Sequence, residues 1–153
     1  MEEAQIFQRA LAKGVPGLAT PEILVAAIDA NCEPFAKARE KVEATIRPEM
    51  LPRVAIACPD PHIERWYLAD PAAVEQVVGR RPTVGRKKCA REHYKKILHS
   101  TMARAGAPVT LGGIELGPEI VAQMNLFRAG KSDGSLKHFL GSLRAVLTRV
   151  IGC

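Results

Sequence analysis

The chain has 153 residues, a hydrophobic content of 47%, a charged content of 25% and a formal net charge of +6 at pH 7. This composition is ordinary for one folded domain with its own core, and no low-complexity tract interrupts it. No apolar run approaches the roughly 20 residues that a membrane helix needs, and the polar start Met1–Gln5 is unlike a secretory signal. The sequence therefore predicts a single cytoplasmic domain over residues 1–153, without a membrane partner.

The first part of the chain predicts a strand–helix–strand unit. After a short amphipathic helix at 3–11, the apolar run Ile23–Ile28 is typical of a buried strand. Apolar residues then recur at helical spacing over 34–47. A second apolar run, Val54–Cys58, is bounded by prolines, which lack the donor that a strand ladder needs. Two strands joined by one helix should pair in parallel.

The remainder of the chain predicts helices. A helix opens after the second strand at 62–70, and another is expected over 71–78 with Gly79 as its end. Longer helices are expected at 88–104, 118–129 and 136–150, and Gly130 should end the second of these. The expected fold is α/β, with a small parallel sheet in a β-α-β core and a predominantly helical half from about residue 71.

Two strands are few for an α/β domain, and three explanations stay open. A further strand lies at Val109–Glu115, another subunit completes the sheet, or a strand precedes the sequence given. Because a short sheet leaves edges that proteins usually cover, we expect the chain to form a homo-oligomer.

The four cysteines contain no Cys-x-x-Cys motif, and no two of them lie within twenty residues of each other. This spacing favours separate reduced thiols over a zinc site. Cys58 should pack in the sheet as a small apolar residue.

Polar side chains follow both predicted strands. Asp29 and Asn31 come after the first strand, and Glu64 follows the second. The carboxyl ends of neighbouring parallel strands lie ~5 Å apart, at the edge where open α/β sheets bind ligands. Oxygen ligands of this kind suit Mg²⁺, so the pattern indicates a metal site. The alternative is helix capping by Asn31 and a helix-dipole interaction of Glu64, while His62 is expected to be a surface histidine.

Positive charge is concentrated in a basic segment, residues 80–96. Eight basic residues stand there against Glu92 alone, so this segment carries +7 and the rest of the chain −1. The basic residues are Arg80, Arg81, Arg86, Lys87, Lys88, Arg91, Lys95 and Lys96. On a helix, Lys88, Arg91 and Lys95 would share one face. The density indicates contacts with nucleic-acid phosphates, the alternative being a solvated basic face.

Two stretches resemble a known family. Ile23–Asn31, a strand ending in an Asp-x-Asp-type turn, and Pro61–Asp70, which contains Pro-x-x-Glu-x-Trp-x-Leu-Ala-Asp, are similar to a Toprim-like family of small prokaryotic proteins. This family is related to the nuclease part of overcoming-lysogenization-defect proteins, and its members are often encoded beside ATPases. Lys87–Lys96 and Leu126–Lys131 are also similar to such proteins.

The resemblance implies a phosphodiester hydrolase that acts on nucleic acid with Mg²⁺ or Mn²⁺. It implies Asp29 and Glu64 as catalytic residues, and Asn31 as a metal ligand where the family pattern has an aspartate. The pattern also has a glutamate after a first strand, and Glu2 or Glu3 could take its place only if a strand precedes the sequence given. One alternative is a non-catalytic module that binds nucleic acid or protein and serves an ATPase partner. Another is a basic scaffold that oligomerises through its last two helices.

Overall fold

The computed structural model describes residues 22–86, 89–90, 92–110 and 113–152. The helix expected at 3–11 lies outside the described residues. Within them, the chain forms a two-stranded sheet and seven α-helices, so the fold is mixed α/β and mostly helical.

The two strands pair in parallel, as predicted. Strand β1 is Leu24–Ala27 and strand β2 is Val54–Ala57, with Leu24 opposite Val54 and Ala27 opposite Ala57. Every residue of β2 is buried, whereas β1 alternates between half-buried and exposed positions. Strand β2 is therefore the centre of the fold and β1 is its edge.

Helices cover both faces of β2. Helix α1 (Phe35–Glu43) packs on the face formed by Val54, Ile56 and Cys58. Helix α7 (Gly134–Ile151) also contacts β2. Because side chains alternate along a strand, Ala55 and Ala57 occupy the opposite face, and their small side chains let a helix approach closely.

Four of the remaining helices form a second layer around a core of fully buried side chains that includes Leu68, Val74, Leu98 and Ile120. They are α2 (Ile63–Tyr67), α3 (Pro71–Val78), α4 (His93–Arg104) and α5 (Gly117–Gln123). Helix α6 (Leu126–Ser132) packs instead against α7, through Ala129 and Leu136. Helix α3 has the predicted bounds, and Gly79 ends it with a left-handed φ of 79°. None of the helices in the described part of the chain has the length and apolar character to cross a membrane.

The helix expected at 118–129 is two helices, α5 and α6. Met124 has an extended backbone, with φ −72° and ψ 129°, which interrupts the helical hydrogen bonds. The side chain of Asn125 then accepts a hydrogen bond from the backbone N–H of Arg128 at 2.9 Å and so caps α6. Gly130 lies inside α6 against α7 and does not end the helix.

Helix α4 begins later than the predicted range 88–104. Cys89 and Ala90 are not helical, and Glu92 has a left-handed φ of 65°. Because an α-helix cannot continue through a left-handed residue, the first turn forms only after Glu92.

The strand considered at Val109–Glu115 is absent from the described residues of that stretch, which lack 111 and 112. Instead, the Glu115 carboxylate accepts hydrogen bonds from the backbone N–H groups of Thr110 and Gly113 and closes a loop. Among the described residues, only β2 pairs with β1. The outer edge of β1 therefore stays open within this part of the chain, beside the exposed side chains of Val25 and Ile28.

Candidate functional site

The carboxyl ends of both strands open into one cleft, called here the strand-end cleft, with a volume of about 380 Å³. Its lining consists of Asp29, Asn31, Cys32, His62, Glu64, Glu92, Tyr94 and Lys95. The structure thus brings together all three residues predicted to hold metal, and it adds one lysine of the basic segment. The parallel pairing accounts for this, since both strands deliver their following residues to the same edge.

Asp29 connects the two strand ends. Its Oδ1 accepts a hydrogen bond from the backbone N–H of Ile63 at 3.0 Å, and its Oδ2 lies 3.5 Å from Nδ1 of His62. The carboxylate therefore satisfies a free N–H group at the start of α2 while 36% of its side chain stays exposed. Asp29 therefore makes a structural contact and still exposes part of its side chain to the cleft.

Asn31 lies in a tight turn and does not cap α1. Its side-chain N–H donates to the backbone oxygen of Asp29 at 3.3 Å, and its backbone N–H donates to the oxygen of Pro61 at 3.0 Å. The residue before α1 is Pro34, and no side chain caps this helix. The capping alternative for Asn31 is therefore wrong. Asn31 and Cys32 have φ values of 48° and 72°, a left-handed conformation that persists in non-glycine residues only where the surroundings impose it.

Glu64 occupies the first turn of α2 and is half-buried at the cleft wall. This position agrees with the helix-dipole alternative and with the metal-site prediction, because both require the carboxylate at that turn. The neighbouring Arg65 takes no part in the cleft lining. Its Nη2 donates to the backbone oxygen of Ser132 at 3.1 Å, and its Nε lies 3.6 Å from Asp133 Oδ2.

A buried polar network holds α2 in place behind the cleft. The indole N–H of Trp66 donates to Ser135 Oγ at 2.8 Å, and the Ser135 hydroxyl donates to Asp133 Oδ1 at 2.6 Å. The same Asp133 oxygen accepts the backbone N–H of Leu136 and so caps α7. Since buried polar groups are costly unless they are paired, this network fixes α2 against α7 and thereby positions Glu64.

The donor atoms that line the cleft determine which kind of metal ion it would suit. Asp29, Asn31 and Glu64 offer oxygen atoms only, which suits a hard cation such as Mg²⁺. Within the described residues, however, no group of three or more His, Cys, Asp or Glu side chains could hold a metal ion. Mg²⁺ in proteins is usually held by one or two carboxylates together with waters and substrate phosphates. Among the predicted ligands, the cleft offers two such carboxylates, Asp29 and Glu64, so metal binding there would need waters or a phosphate as further ligands.

The basic segment is described only in part. Lys87, Lys88 and Arg91 lie outside the described residues. The prediction that Lys88, Arg91 and Lys95 share one helical face therefore falls partly outside the described residues, and of the three only Lys95 is described, on α4, which begins at His93. Lys95 lies at the cleft, with its Nζ 3.7 Å from Glu92 Oε2.

The other described members of the basic segment reach solvent. Arg80, Arg86 and Lys96 are exposed. Arg81 is also exposed, and its Nη1 donates to Glu75 Oε2 at 3.1 Å. The exposed basic side chains of the segment therefore lie on the loop before α4 and on the first turn of α4.

A disulfide bond joins Cys32 to Cys89, with the two Cα atoms 5.4 Å apart. The expectation of separate reduced thiols is therefore wrong for this pair. It is confirmed for Cys58, a buried free cysteine whose pKa is raised by burial. The disulfide ties the basic segment, which contains Cys89, to the turn that carries Asn31.

Four residues of the cleft lining were not predicted as site residues: Cys32, His62, Glu92 and Tyr94. His62 was expected on the surface, but its side chain is 18% exposed and faces Asp29. Its place just after the second strand is the signal that could have identified it. Glu92 is itself the left-handed residue before α4, and it lies close in sequence to the disulfide-bonded Cys89. No local sequence pattern indicates either the left-handed backbone or the disulfide.

A second groove, of about 740 Å³, runs along β1 and α1. Its lining is mainly apolar, from residues such as Leu24, Val42 and Ile46. Of its charged groups, Glu33 and Lys41 pair with each other at 2.8 Å, and Asp29 also lines the strand-end cleft. The strand-end cleft is therefore better suited to a phosphate ligand than this groove.

The chain matches no family model, no curated protein and no solved structure. The resemblance noted above is carried by two stretches, and both border the strand-end cleft. Asp29 and Asn31 end the first stretch, and Glu64 belongs to the second.

Proposed function

We propose that the chain is a Toprim-like, metal-dependent phosphodiester hydrolase acting on nucleic acid, with the strand-end cleft as its active site. One observation carries the proposal: the three predicted oxygen ligands, Asp29, Asn31 and Glu64, line the same cleft as Lys95 of the basic segment. Oxygen ligands attract a hard cation, and the lysine and the basic segment attract the phosphate that the cation would share.

The proposed roles follow from the contacts. Asp29, Asn31 and Glu64 would hold Mg²⁺ or Mn²⁺, which when bound stabilises negative charge on a phosphate and activates water. His62, 3.5 Å from the Asp29 carboxylate, orients that group. Lys95 would neutralise a phosphate oxygen at the cleft mouth.

The proposal is tested with a labelled single-stranded DNA oligonucleotide and a Mg²⁺ or Mn²⁺ titration. We expect cleavage that depends on the metal. In calorimetry, the metal should bind more tightly with the oligonucleotide present, because the phosphate completes the ligand set. If the metal binds neither alone nor with the oligonucleotide and no product forms, the hydrolase proposal is wrong.

A second candidate is a non-catalytic module that binds nucleic acid or protein and serves an ATPase partner. It is favoured by Asn31, an amide where the related pattern has a carboxylate, and by Asp29, whose oxygens already face Ile63 and His62. In this case the oligonucleotide binds equally well with and without metal, and no cleavage occurs. Co-purification with an ATPase would identify the protein-binding form of this function.

We predict that the basic segment provides the phosphate contacts. Replacing Arg86, Lys95 and Lys96 together with alanine should flatten the slope of log affinity against log salt by about 2 units for single-stranded DNA. Thermal stability should change little, since exposed charges contribute little to folding.

A matched control for this test replaces three exposed basic residues outside the segment, Arg104, Lys137 and Arg144. Both triple variants lose the same net charge, so a general charge effect would change them equally. An unchanged salt slope in the Arg86, Lys95 and Lys96 variant, or an equal change in the control, would place the phosphate contacts elsewhere.

We also propose that the chain forms a homo-oligomer through the open edge of β1. Val25 and Ile28 are 52% and 48% exposed beside that edge, and strand addition would cover both side chains and the unpaired backbone groups. Sedimentation at micromolar concentration should show a species larger than the monomer, and Val25→Lys should convert it to monomer. A wild type that is monomeric throughout contradicts this prediction.

A further inference from the structure

We propose that Cys32 and Cys89 form a reversible thiol–disulfide exchange site, which fastens the basic segment to the rim of the strand-end cleft when oxidised and releases it when reduced. The exchange itself is independent of the hydrolase function. Its effect on nucleic-acid binding rests on that proposed function.

The accessibility of the two cysteines supports exchange. Cys32 and Cys89 are both exposed, so a thiolate from solution can reach the disulfide. Cys58 provides the contrast within the same chain, because it is buried and its pKa is raised by that burial. A thiolate is the reactive form of cysteine, so Cys58 is expected to be inert under conditions that open the disulfide.

The location of the disulfide links its state to the cleft. Cys32 follows Asn31, and both have left-handed backbones that need an external constraint. For Asn31 part of this constraint is the hydrogen bond to Pro61, and for Cys32 it is the covalent bond to Cys89. Cys32 itself lines the cleft, so opening the bond relaxes one wall of the cleft directly.

The other cysteine of the disulfide, Cys89, belongs to the basic segment. Cys89 lies between Arg86 and Lys95, and it is separated from Cys32 by 57 positions in the sequence. While the bond is closed, Cys89 is held beside Cys32 at the wall of the cleft that Lys95 also lines. When it opens, binding must first order this segment, which lowers affinity.

The exchange reaction needs a dithiol reductant. One of its thiolates attacks a sulfur of the disulfide, forming a mixed disulfide and releasing the other cysteine as a thiolate. The second thiol of the reductant then displaces the remaining cysteine. The protein gains two electrons and two protons and carries two thiols, while the reductant becomes a disulfide. A reducing compartment therefore favours the open form and an oxidising compartment the closed form.

The experiment compares the full chain in its oxidised and dithiothreitol-reduced forms. Peptide mapping of the oxidised form should recover Cys32 linked to Cys89, and reduction should remove this linked peptide. We expect reduction to lower Tm by about 10 °C, because the bond closes a long loop in the unfolded chain. Trypsin should cut after Arg86 faster in the reduced form. The Kd for a labelled single-stranded DNA oligonucleotide should rise about tenfold.

Serine variants separate the exchange from general effects of the reductant. Cys32→Ser and Cys89→Ser should each behave like the reduced wild type with or without dithiothreitol, whereas Cys153→Ser should respond like the wild type. Absence of the linked peptide, or equal Tm and equal trypsin cleavage in both redox forms, overturns the proposal. Redox-dependent binding without any cleavage of DNA would support the exchange site and contradict the hydrolase function, so the two failures are distinguishable.

Discussion

Asp29→Ala is expected to abolish Mg²⁺- or Mn²⁺-dependent cleavage of nucleic acid, a loss of about 10³-fold or more, because it removes a charged ligand at the junction of both strand ends. Glu64→Ala should reduce the rate by about 10²-fold, since one carboxylate remains in the cleft. The measurement is the initial cleavage rate of a labelled oligonucleotide under saturating metal. Glu119→Ala, an exposed acid in the first turn of α5, is the control and should retain full activity.

The alanine variant also loses a structural contact, so a second variant is needed. Asp29 Oδ1 accepts the Ile63 N–H, and removing such an acceptor at a helix start costs about 1 kcal/mol. Asp29→Asn keeps an acceptor oxygen while it removes the charge. We expect Asp29→Asn to unfold near the wild-type temperature and to be as inactive as Asp29→Ala. Full activity in Asp29→Asn would place the reaction elsewhere in the molecule.

The sheet and the location of the cleft could be predicted because they depend on local patterns. Val54–Ala57 is apolar at every position and is followed by Pro59, so its burial and its end are both visible in the sequence. The polar residues after each strand then define the cleft, because parallel strands end at the same edge. Asp29 and Glu64 share the cleft for this reason.

The break between α5 and α6 was missed because its apolar spacing continues without interruption. Ile120 and Met124 pack inward, but Val121 and Phe127, which a single helix with this apolar spacing would also turn inward, are 49% and 73% exposed. Asn125 decides the outcome, since its side chain caps a new helix. An asparagine within a periodic stretch is a local signal that could have been given more weight.

The disulfide and the start of α4 depend on tertiary structure. Cys32 follows β1 and Cys89 follows α3, so the two cysteines are brought together by the packing of the elements between them. Their spacing in the sequence does not indicate this contact. The left-handed backbone of Glu92, directly before α4, likewise has no local sequence signal. The expected start of α4 at residue 88 therefore differs from the observed start at His93, although the charge count for the segment is unaffected.

An ion pair between the buried Asp70 and the exposed Arg128 should contribute strongly to the stability of the helical layer. Asp70 is fully buried, and Arg128 donates to it through two bonds, Nε to Oδ1 at 2.9 Å and Nη2 to Oδ2 at 2.7 Å. The backbone N–H of Asn125 donates to Oδ2 at 3.0 Å. Burial by itself raises the pKa of Asp70, but the hydrogen bonds from Arg128 and Asn125 outweigh it and hold the pKa below its ordinary value.

This direction determines how stability depends on pH. A carboxyl group whose pKa is lower in the folded than in the unfolded chain stabilises the fold at every pH above its unfolded pKa, about 3.9. The contribution is lost as the pH falls through the folded pKa. Asp70→Asn should therefore remove part of the acid sensitivity of the wild type, which is measured as the unfolding free energy in urea between about pH 3 and pH 7.

The two halves of the pair should differ in their effects on stability. Arg128→Ala leaves a buried carboxylate without its cation and should lower the free energy of unfolding at pH 7 more than Asp70→Asn does, although the Arg128 side chain itself is 56% exposed. Asp70→Asn leaves a guanidinium that can turn to water, so about 1–2 kcal/mol is expected. Arg144→Ala, an exposed arginine on α7, is the control and should be near neutral. In Arg128→Ala, burial now raises the pKa of Asp70, so the loss should shrink as the pH falls toward 4. A larger loss for Asp70→Asn than for Arg128→Ala at pH 7 would show that the unpaired buried charge is not the main cost.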